Sequence, residues 1–541
     1  MTLRTEPVPM PEKKVTFKPA ANGTVYVYYT LRAYRNKNGK PTSDETSIGK
    51  KDPLTGMLIP NRRYFELFHP PGTPAKREVT RAKTKASLPS RVASYGNTYS
   101  LLKVAQETGL SEILTKSFSE RSSQLLAVAF YMLCEGNVMM YIKDWFDETE
   151  ISFAERMDDQ QCSRLFASIS FDERLQFFRE WLKLRSEQEY LAYDVTSVST
   201  YSQGIDIAEW GYNRDGESLA QVNLGMFYGA QSFLPVYYDL YSGSIADKSH
   251  LAFMLEGAQK LGITHTRFVM DRGFVSEDNL RYMEKNKYLF VTALPSHMTE
   301  ARRIIDECKD GIRSAINRIR QFDVYACTLD LPVYGFPMKA HVYFDTEKQA
   351  TDEKELYAHI DRLGAELEKM GKSSRAAKRH KDFFIIEQEK AKKMEFAPDH
   401  KKMDERLGRA GFFVLLTNDV SLNSSDVLKI YRNRHAIEKN FHQLKNDLDF
   451  RRLRTHANQT TDGKFFARFL ALILRSYLLR KVKESPGTKH LTLEKVLIEL
   501  RKIKTITFED ATRMLLPLTK LQRTILDALN LSTNELLGNF T

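Results

Sequence analysis

Cysteine is scarce. Four occur in 541 residues, Cys134, Cys162, Cys308 and Cys327, and no two form a C-x-x-C pair. That spacing supports neither a zinc finger nor a disulfide framework, and a reducing compartment is the expectation. Long apolar runs are missing too. The most apolar windows, 124–142 and 465–480, are broken by Glu135 and by Arg468 and Arg475, so no membrane span is expected. The opening stretch MTLRTEPVPM has no apolar segment of the kind a secretory leader needs. No Walker loop, G-x-G-x-x-G, H-E-x-x-H or internal repeat occurs, which removes P-loop, dinucleotide and zincin chemistry from consideration.

What is present is the composition of a folded protein, 42% hydrophobic and 28% charged. The length predicts three or four domains. Lys and Arg number 81 against 69 Asp and Glu, a net charge of +12. The sequence pI is near 9.2. Such a balance permits a polyanionic partner such as nucleic acid and does not establish one.

Along the chain, TVYVYYTLRA, a turn at NKNGK and a second β-rich run predict a small β-hairpin module within 1–75. Arg32, Arg35, Lys37, Lys40, Lys50 and Lys51 lie on or near it. A two-stranded basic ribbon can enter a major groove; a solvated basic hairpin reads equally well. Helical periodicity follows within 76–185, where helix–turn–helix contact with DNA and plain packing both fit. From 186 to 295 the texture is strands. YLAYDVTSV carries one acid, Asp194, in an apolar run, and RFVMDRGF ends in another, Asp271. A carboxylate in a buried strand needs a reason, since an unpaired buried charge is costly. Residues 296–410 mix strands, a charged helix and a Lys/Arg-dense segment. GFFVLLTN returns to a strand within 411–460, and 461–541 predicts a helical C-terminal region.

The segment 425–449, SDVLKIYRNRHAIEKNFHQLKNDLD, predicts one long helix capped by Asn423. Ile430, Ile437, Phe441, Leu444 and Leu448 form an apolar docking stripe. Beside it Tyr431, Arg434, Glu438 and Lys445 fall within about 60° of one another on the wheel. A salt-bridged helix edge, with Glu438 pairing Arg434, explains that stripe as well as a site does. Asp194 could equally bond a hydroxyl such as Thr196, and Asp271 could cap the turn before Gly273.

The spacing of Tyr431, Arg434, Glu438 and Lys445 resembles the signature helix of DDE transposases of the insertion-sequence-four family. Asp271, Gly273 and Phe274 resemble the family's D-x-G-aromatic context, and YLAYDVT resembles the setting of its first aspartate. The resemblance covers about 190–450. It implies an α/β protein with a ribonuclease-H-like catalytic core, in which the first and fourth strands are neighbours and Asp194 and Asp271 converge. It also implies a mostly β insertion domain at 296–410, an N-terminal β-hairpin and helical DNA-binding region, and a C-terminal helical region. The implied activity is DNA transposition: cleavage and strand transfer at the ends of an insertion sequence, within a bacterial cytoplasm or nucleoid. Asp194, Asp271 and Glu438 would be catalytic metal ligands, Asp194 bridging two Mg2+ ions (Mn2+ substituting) and each other acid completing one side. Such ions activate the attacking oxygen and stabilise the leaving one. Tyr431, Arg434 and Lys445 would hold phosphates of the transposon end; Arg272 is a further candidate for which a local salt bridge also fits. Partners would be duplex DNA at transposon ends and target, and a second copy of the chain in a synaptic complex. A metal-dependent nuclease that cuts without joining, an inactive DNA-binding derivative and a small-molecule hydrolase are the alternatives. Trp181, Trp210 and Tyr212 read as core before they read as base-stacking residues, and His442 as a structural or phosphate-side residue.

Overall fold

The computed structural model describes residues 7–21, 23–68, 88–185, 189–213, 216–261, 267–369, 378–387, 395–434 and 452–538. The chain divides into two units, Met1–Ser87 and Leu88–Thr541.

In the first unit β1 (Val15–Pro19), β2 (Val25–Arg35), β3 (Pro41–Lys51) and β4 (Leu58–Pro60) pair in that order. The expected hairpin, β2–β3, is thus the centre of a four-stranded sheet. Val27, Ile48 and Leu58 are buried, and Tyr64 and Leu67 of the helix Arg62–Phe68 pack against them.

The second unit begins with β5 (Pro89–Ser94), followed by helices up to Arg185. The helix Ser122–Cys134 is buried at every position from Leu125 to Leu133, as expected of a helix apolar on all sides. It packs with the long helix Asn458–Glu484, which is also largely buried. No single helix among the described residues is long and apolar enough to cross a membrane. Gly463 lets the long helix approach the helix Asp159–Ser168, because a Cβ there would lie 2.1 Å from the Phe166 carbonyl oxygen. Gly463→Ala is expected to destabilise the unit by about 1–3 kcal/mol through overpacking, read as a lower urea midpoint; an unchanged midpoint would show that the helices slide apart freely.

A nine-stranded mixed sheet forms the centre. Its strands are β6 (Tyr190–Thr200), β7 (Ala220–Gly229), β8 (Pro235–Ser242), β9 (Arg267–Met270), β10 (Leu289–Leu294), β11 (Arg318–Ile319), β12 (Val324–Val333) and β13 (Phe336–Phe344). After a separate ribbon of β14 (Phe384–Glu387) and β15 (Glu395–Pro398), β16 (Phe412–Thr417) completes it. The order is β11-β12-β13-β16-β10-β9-β6-β7-β8. β6 is buried along its whole length except at Asp194, which is half-buried. Tyr238 of β8 packs on Phe178 and on Phe469 of the long helix, at 5.5 and 5.2 Å. Gly225 of β7 faces Met254 of the helix Asp247–Lys260.

Two expectations are corrected. Residues 296–410 do not form a mostly β insertion: they carry the helices Thr299–Cys308, Thr346–Lys369 and His400–Leu407, and β11–β13 extend the central sheet. β13 pairs with β16 from Lys339↔Thr417 to Phe344↔Phe412, so neither apolar strand is left with an open edge. The C-terminal region is not wholly helical. β17 (Lys504–Phe508) and β18 (Arg513–Leu515) join β5 in a three-stranded sheet, and this also places a strand in the stretch 76–185 expected to be helical.

Cys308 and Cys327, distant in sequence, bring their sulfurs to 2.7 Å as free thiols. Burial, with the neighbouring thiol, pushes Cys308 up to about 12. His341 on β13 is 1% exposed and bonded through Nδ1 to the Thr328 hydroxyl at 2.8 Å. Burial first, then the Lys339 charge, lowers its pKa to about 4. The folded state therefore holds a neutral imidazole whose unfolded counterpart protonates near 6.5. Its contribution to stability is full above that pH and lost as pH falls towards 4, about 3 kcal/mol in all. Denaturation of wild type and His341→Gln across that window should diverge; parallel curves would remove His341 as the cause.

Candidate active site

β6 and β9 are parallel neighbours, in register from Tyr190↔Arg267 to Tyr193↔Met270. Asp194 and Asp271 each follow the last of these pairs. Adjacent strands lie about 4.8 Å apart and matched positions share a face, so the two acids stand side by side where β9 ends. Asp194 Oδ1 accepts from the Val195 backbone N–H at 2.8 Å. Asp271 caps the single turn Arg272–Phe274, its Oδ1 accepting from the Arg272 N–H at 2.7 Å. Phe274 anchors that turn by packing on Tyr193, with ring centroids 4.8 Å apart.

The third contributor is the helix at 424–434. Asn423 caps it, its Oδ1 accepting from the Asp426 N–H at 2.9 Å. Val427, Leu428, Tyr431 and Arg434 are its buried positions, while Ile430 is only partly buried. Within this part the two described members of the polar stripe are buried, and Ile430 of the apolar one packs against the core while partly buried. A buried guanidinium needs compensation. Arg434, 2% exposed, finds it in Asp271 Oδ1 at 3.4 Å and the Tyr431 hydroxyl at 3.4 Å, with Cζ 4.9 Å from the Tyr431 ring centre. Glu438, Lys445, Ile437, Phe441, Leu444, Leu448, His435 and His442 lie outside the described residues; His456 is exposed.

A cleft of about 510 Å³ opens beside Asp271. Arg272, Lys348, Arg432 and Arg434 line it against two acids, Asp271 and Asp345. Lys348 is held by Asp352 at 2.6 Å and Arg432 by Asp345 at 3.4 Å. Arg272 is exposed and has no ion-pair partner among the described residues. Sequence reading missed Lys348, whose helix was assigned to an insertion, and Arg432, which falls outside the signature spacing. It also saw Arg468 and Arg475 only as interruptions. Seven residues apart on an apolar helix, they share a face, and each is 1% exposed. Burial first, then the Asp194 charge, holds the Tyr228 phenol well above its usual range, with Arg475 opposing. Trp181 is core, its indole N–H donating to the Pro235 carbonyl at 2.9 Å, whereas Trp210 and Tyr212 are 68% and 82% exposed.

Among the described residues no group of three or more His, Cys, Asp or Glu side chains is placed to hold a metal ion. The donors that do stand together, two carboxylates at neighbouring strand positions, suit a hard divalent cation with oxygen ligands.

Fold and site together define a mixed α/β protein in which one strand acid, Asp271, borders a cation-rich cleft and the other, Asp194, follows the neighbouring parallel strand pairing. The chain belongs to the transposase DDE domain family, whose profile matches residues 185–474. No curated protein matches it. Among solved structures it is similar to a piggyBac transposase described as a synaptic complex with hairpin DNA, at 11% identity and a TM-score of 0.34, covering 82% of this chain and 75% of that one.

Proposed function

We propose that this protein cuts DNA at the ends of an insertion sequence and joins them to a target, using a ribonuclease-H-like core of the insertion-sequence-four type. The observation that carries this reading is the parallel register of β6 and β9, whose last printed pair, Tyr193↔Met270, immediately precedes Asp194 and Asp271, with a buried arginine on Asp271. The strand order β8-β7-β6-β9-β10 supports the ribonuclease-H-like assignment, with the two acids on its first and fourth strands. Glu438, four residues beyond Arg434, is the third ligand in this scheme by its spacing alone.

Asp194, Asp271 and Glu438 would hold divalent ions, Mg2+ or Mn2+, which when bound activate an attacking oxygen and stabilise the leaving one. Arg434 and Tyr431 hold the Asp271 side in place. They and Arg272 also offer donors to substrate phosphates, with Lys445 one further candidate. Arg suits this role because its planar fork matches phosphate geometry. A homodimer in the complex with DNA, and work in the bacterial cytoplasm, complete the scheme.

The test is incubation of the full chain with duplexes carrying the element's ends and a target plasmid, with Mg2+ or Mn2+. Nicked ends and joined products are expected. Cutting without joined products would favour the nuclease reading, and neither product with either ion would remove both.

A further inference from the structure

The positive charge of this protein is concentrated in its first unit. Residues 1–87 hold 17 Lys and Arg against 7 Asp and Glu, a net +10 of the chain's +12. Residues 88–541 hold the remaining 64 and 62, a net +2. Non-specific affinity for DNA is set mainly by cations that displace counterions from phosphates, so the first unit is where the affinity should reside.

Within that unit residues 31–44 carry four of the cations against one acid. Strands β2 and β3 run eleven residues each, but only their proximal halves belong to the packed sheet. Every residue from 31 to 44 is exposed, on both faces of the ribbon. The pairing skips a residue between Thr30 and Arg32, a bulge that raises the local twist and sets the ribbon off from the sheet. Beyond it, Arg32 pairs across to Asp44 and Tyr34 to Thr42, while Ala33 pairs to Ser43 and Arg35 to Pro41. Opposed residues share a face and neighbours alternate. Arg32 therefore points from one face and Arg35 from the other, with Lys37 and Lys40 at the tip; Asp44 is the single acid among residues 31–44.

The tip is well defined. Asn36 Oδ1 accepts from the N–H groups of Asn38 and Lys40 at 3.1 and 3.0 Å, Gly39 takes the φ of +73° the turn needs, and Arg35 donates to the Gly39 carbonyl at 3.0 Å. A two-stranded ribbon with no apolar face is marginal in water by itself, so stability does not account for such a projection. Two strands with their side chains fit a B-DNA major groove about 12 Å wide, and cations on opposite faces reach the phosphates on both of its walls.

We propose that the ribbon 31–44 inserts into the major groove of duplex DNA, with Arg32 and Arg35 on opposite phosphate walls and Lys37 and Lys40 at the floor or rim. The proposal rests on the transposase reading for the choice of DNA as partner.

The test measures binding of the full chain to a fluorescent duplex of arbitrary sequence between about 50 and 200 mM salt. Removing four phosphate contacts with R32A/R35A/K37A/K40A should lower the slope of log affinity against log salt by about 3.6 and weaken low-salt binding at least about tenfold. The comparison variant K13A/K14A/R62A/R63A removes the same charge elsewhere in the unit and should change the slope by less than half as much. Equal losses in the two variants, no loss in the ribbon variant, or single-stranded DNA bound as tightly as duplex would overturn the proposal. Circular dichroism checks that the exposed substitutions leave the fold intact. Asp194→Asn, which tests the cleavage site, should keep the wild-type slope. An Asp194→Asn protein that still cuts DNA refutes the site while leaving the ribbon result standing.

Discussion

Asparagine at position 194 should leave a folded, DNA-binding protein that cleaves transposon ends about 10³-fold more slowly. The substitution keeps size and one hydrogen-bonding oxygen, so the bond from the Val195 N–H at 2.8 Å survives. What disappears is the negative charge that a hard cation requires, and cation-assisted stabilisation of a phosphoryl transition state is worth several kcal/mol, each 1.36 kcal/mol being about tenfold. Asp271→Asn should reduce cleavage by a similar factor but carries a second consequence. It removes the charge facing Arg434, whose side chain is 3% exposed against 34% for Asp271. Because the guanidinium left behind is buried while the carboxylate was partly hydrated, a fall in stability of about 1–3 kcal/mol should accompany the loss of cutting. Rates from gel-resolved end cleavage, set against denaturation curves, separate the two effects. Wild-type cleavage by the Asp194 variant would end the assignment of that residue.

Arg434→Met should differ from Asp271→Asn in stability: activity down about 10²-fold, stability changed little. Removing one preorganised donor from a site that handles developing negative charge costs about 10²–10³ in rate. Stability behaves differently, because a buried charge replaced by an apolar side chain of similar volume sheds its desolvation penalty along with its ion pair. Asp271, being a third exposed, is not stranded by the change. Arg434→Lys keeps a charge for Asp271 without the planar fork, and should fall between wild type and Met in rate. If Arg434→Met cleaves normally, the arginine serves packing alone; if it unfolds, Tyr431 and Asp271 depend on it structurally and the kinetic comparison passes to the Lys variant.

The strands bearing Asp194 and Asp271 were legible because their signal is local: short runs of β-formers, each with one acid that burial alone does not favour. The cap at Asn423 was readable for the same reason. The burial of Arg434 on the helix that follows was not. Hydropathy points Ile430 to the core, where it packs while partly buried, but Arg434 is buried more deeply, its guanidinium meeting a carboxylate that follows β9, remote in sequence. Edge pairings were equally invisible. Nothing near Phe336 announces that it and its neighbours pair along β16, and KTITF at 504–508 finds its partner in β5, four hundred residues earlier. Both are long-range choices made by whichever strand edge remains open. The basic hairpin was visible as a hairpin, but not that its outer half, residues 31–44, is exposed throughout.

The contact between Arg434 and Asp271 has a consequence for when the protein can act. Asp271 leaves the ribosome long before the residue that neutralises it is made, and between them the chain must thread β10, β12, β13 and β16 into one sheet. A nascent or truncated product ending before the helix at 424–434 can present both strand acids yet lacks the cation that steadies one of them. Under the proposed function, the cleavage site would lack that cation until the helix at 424–434 has been made.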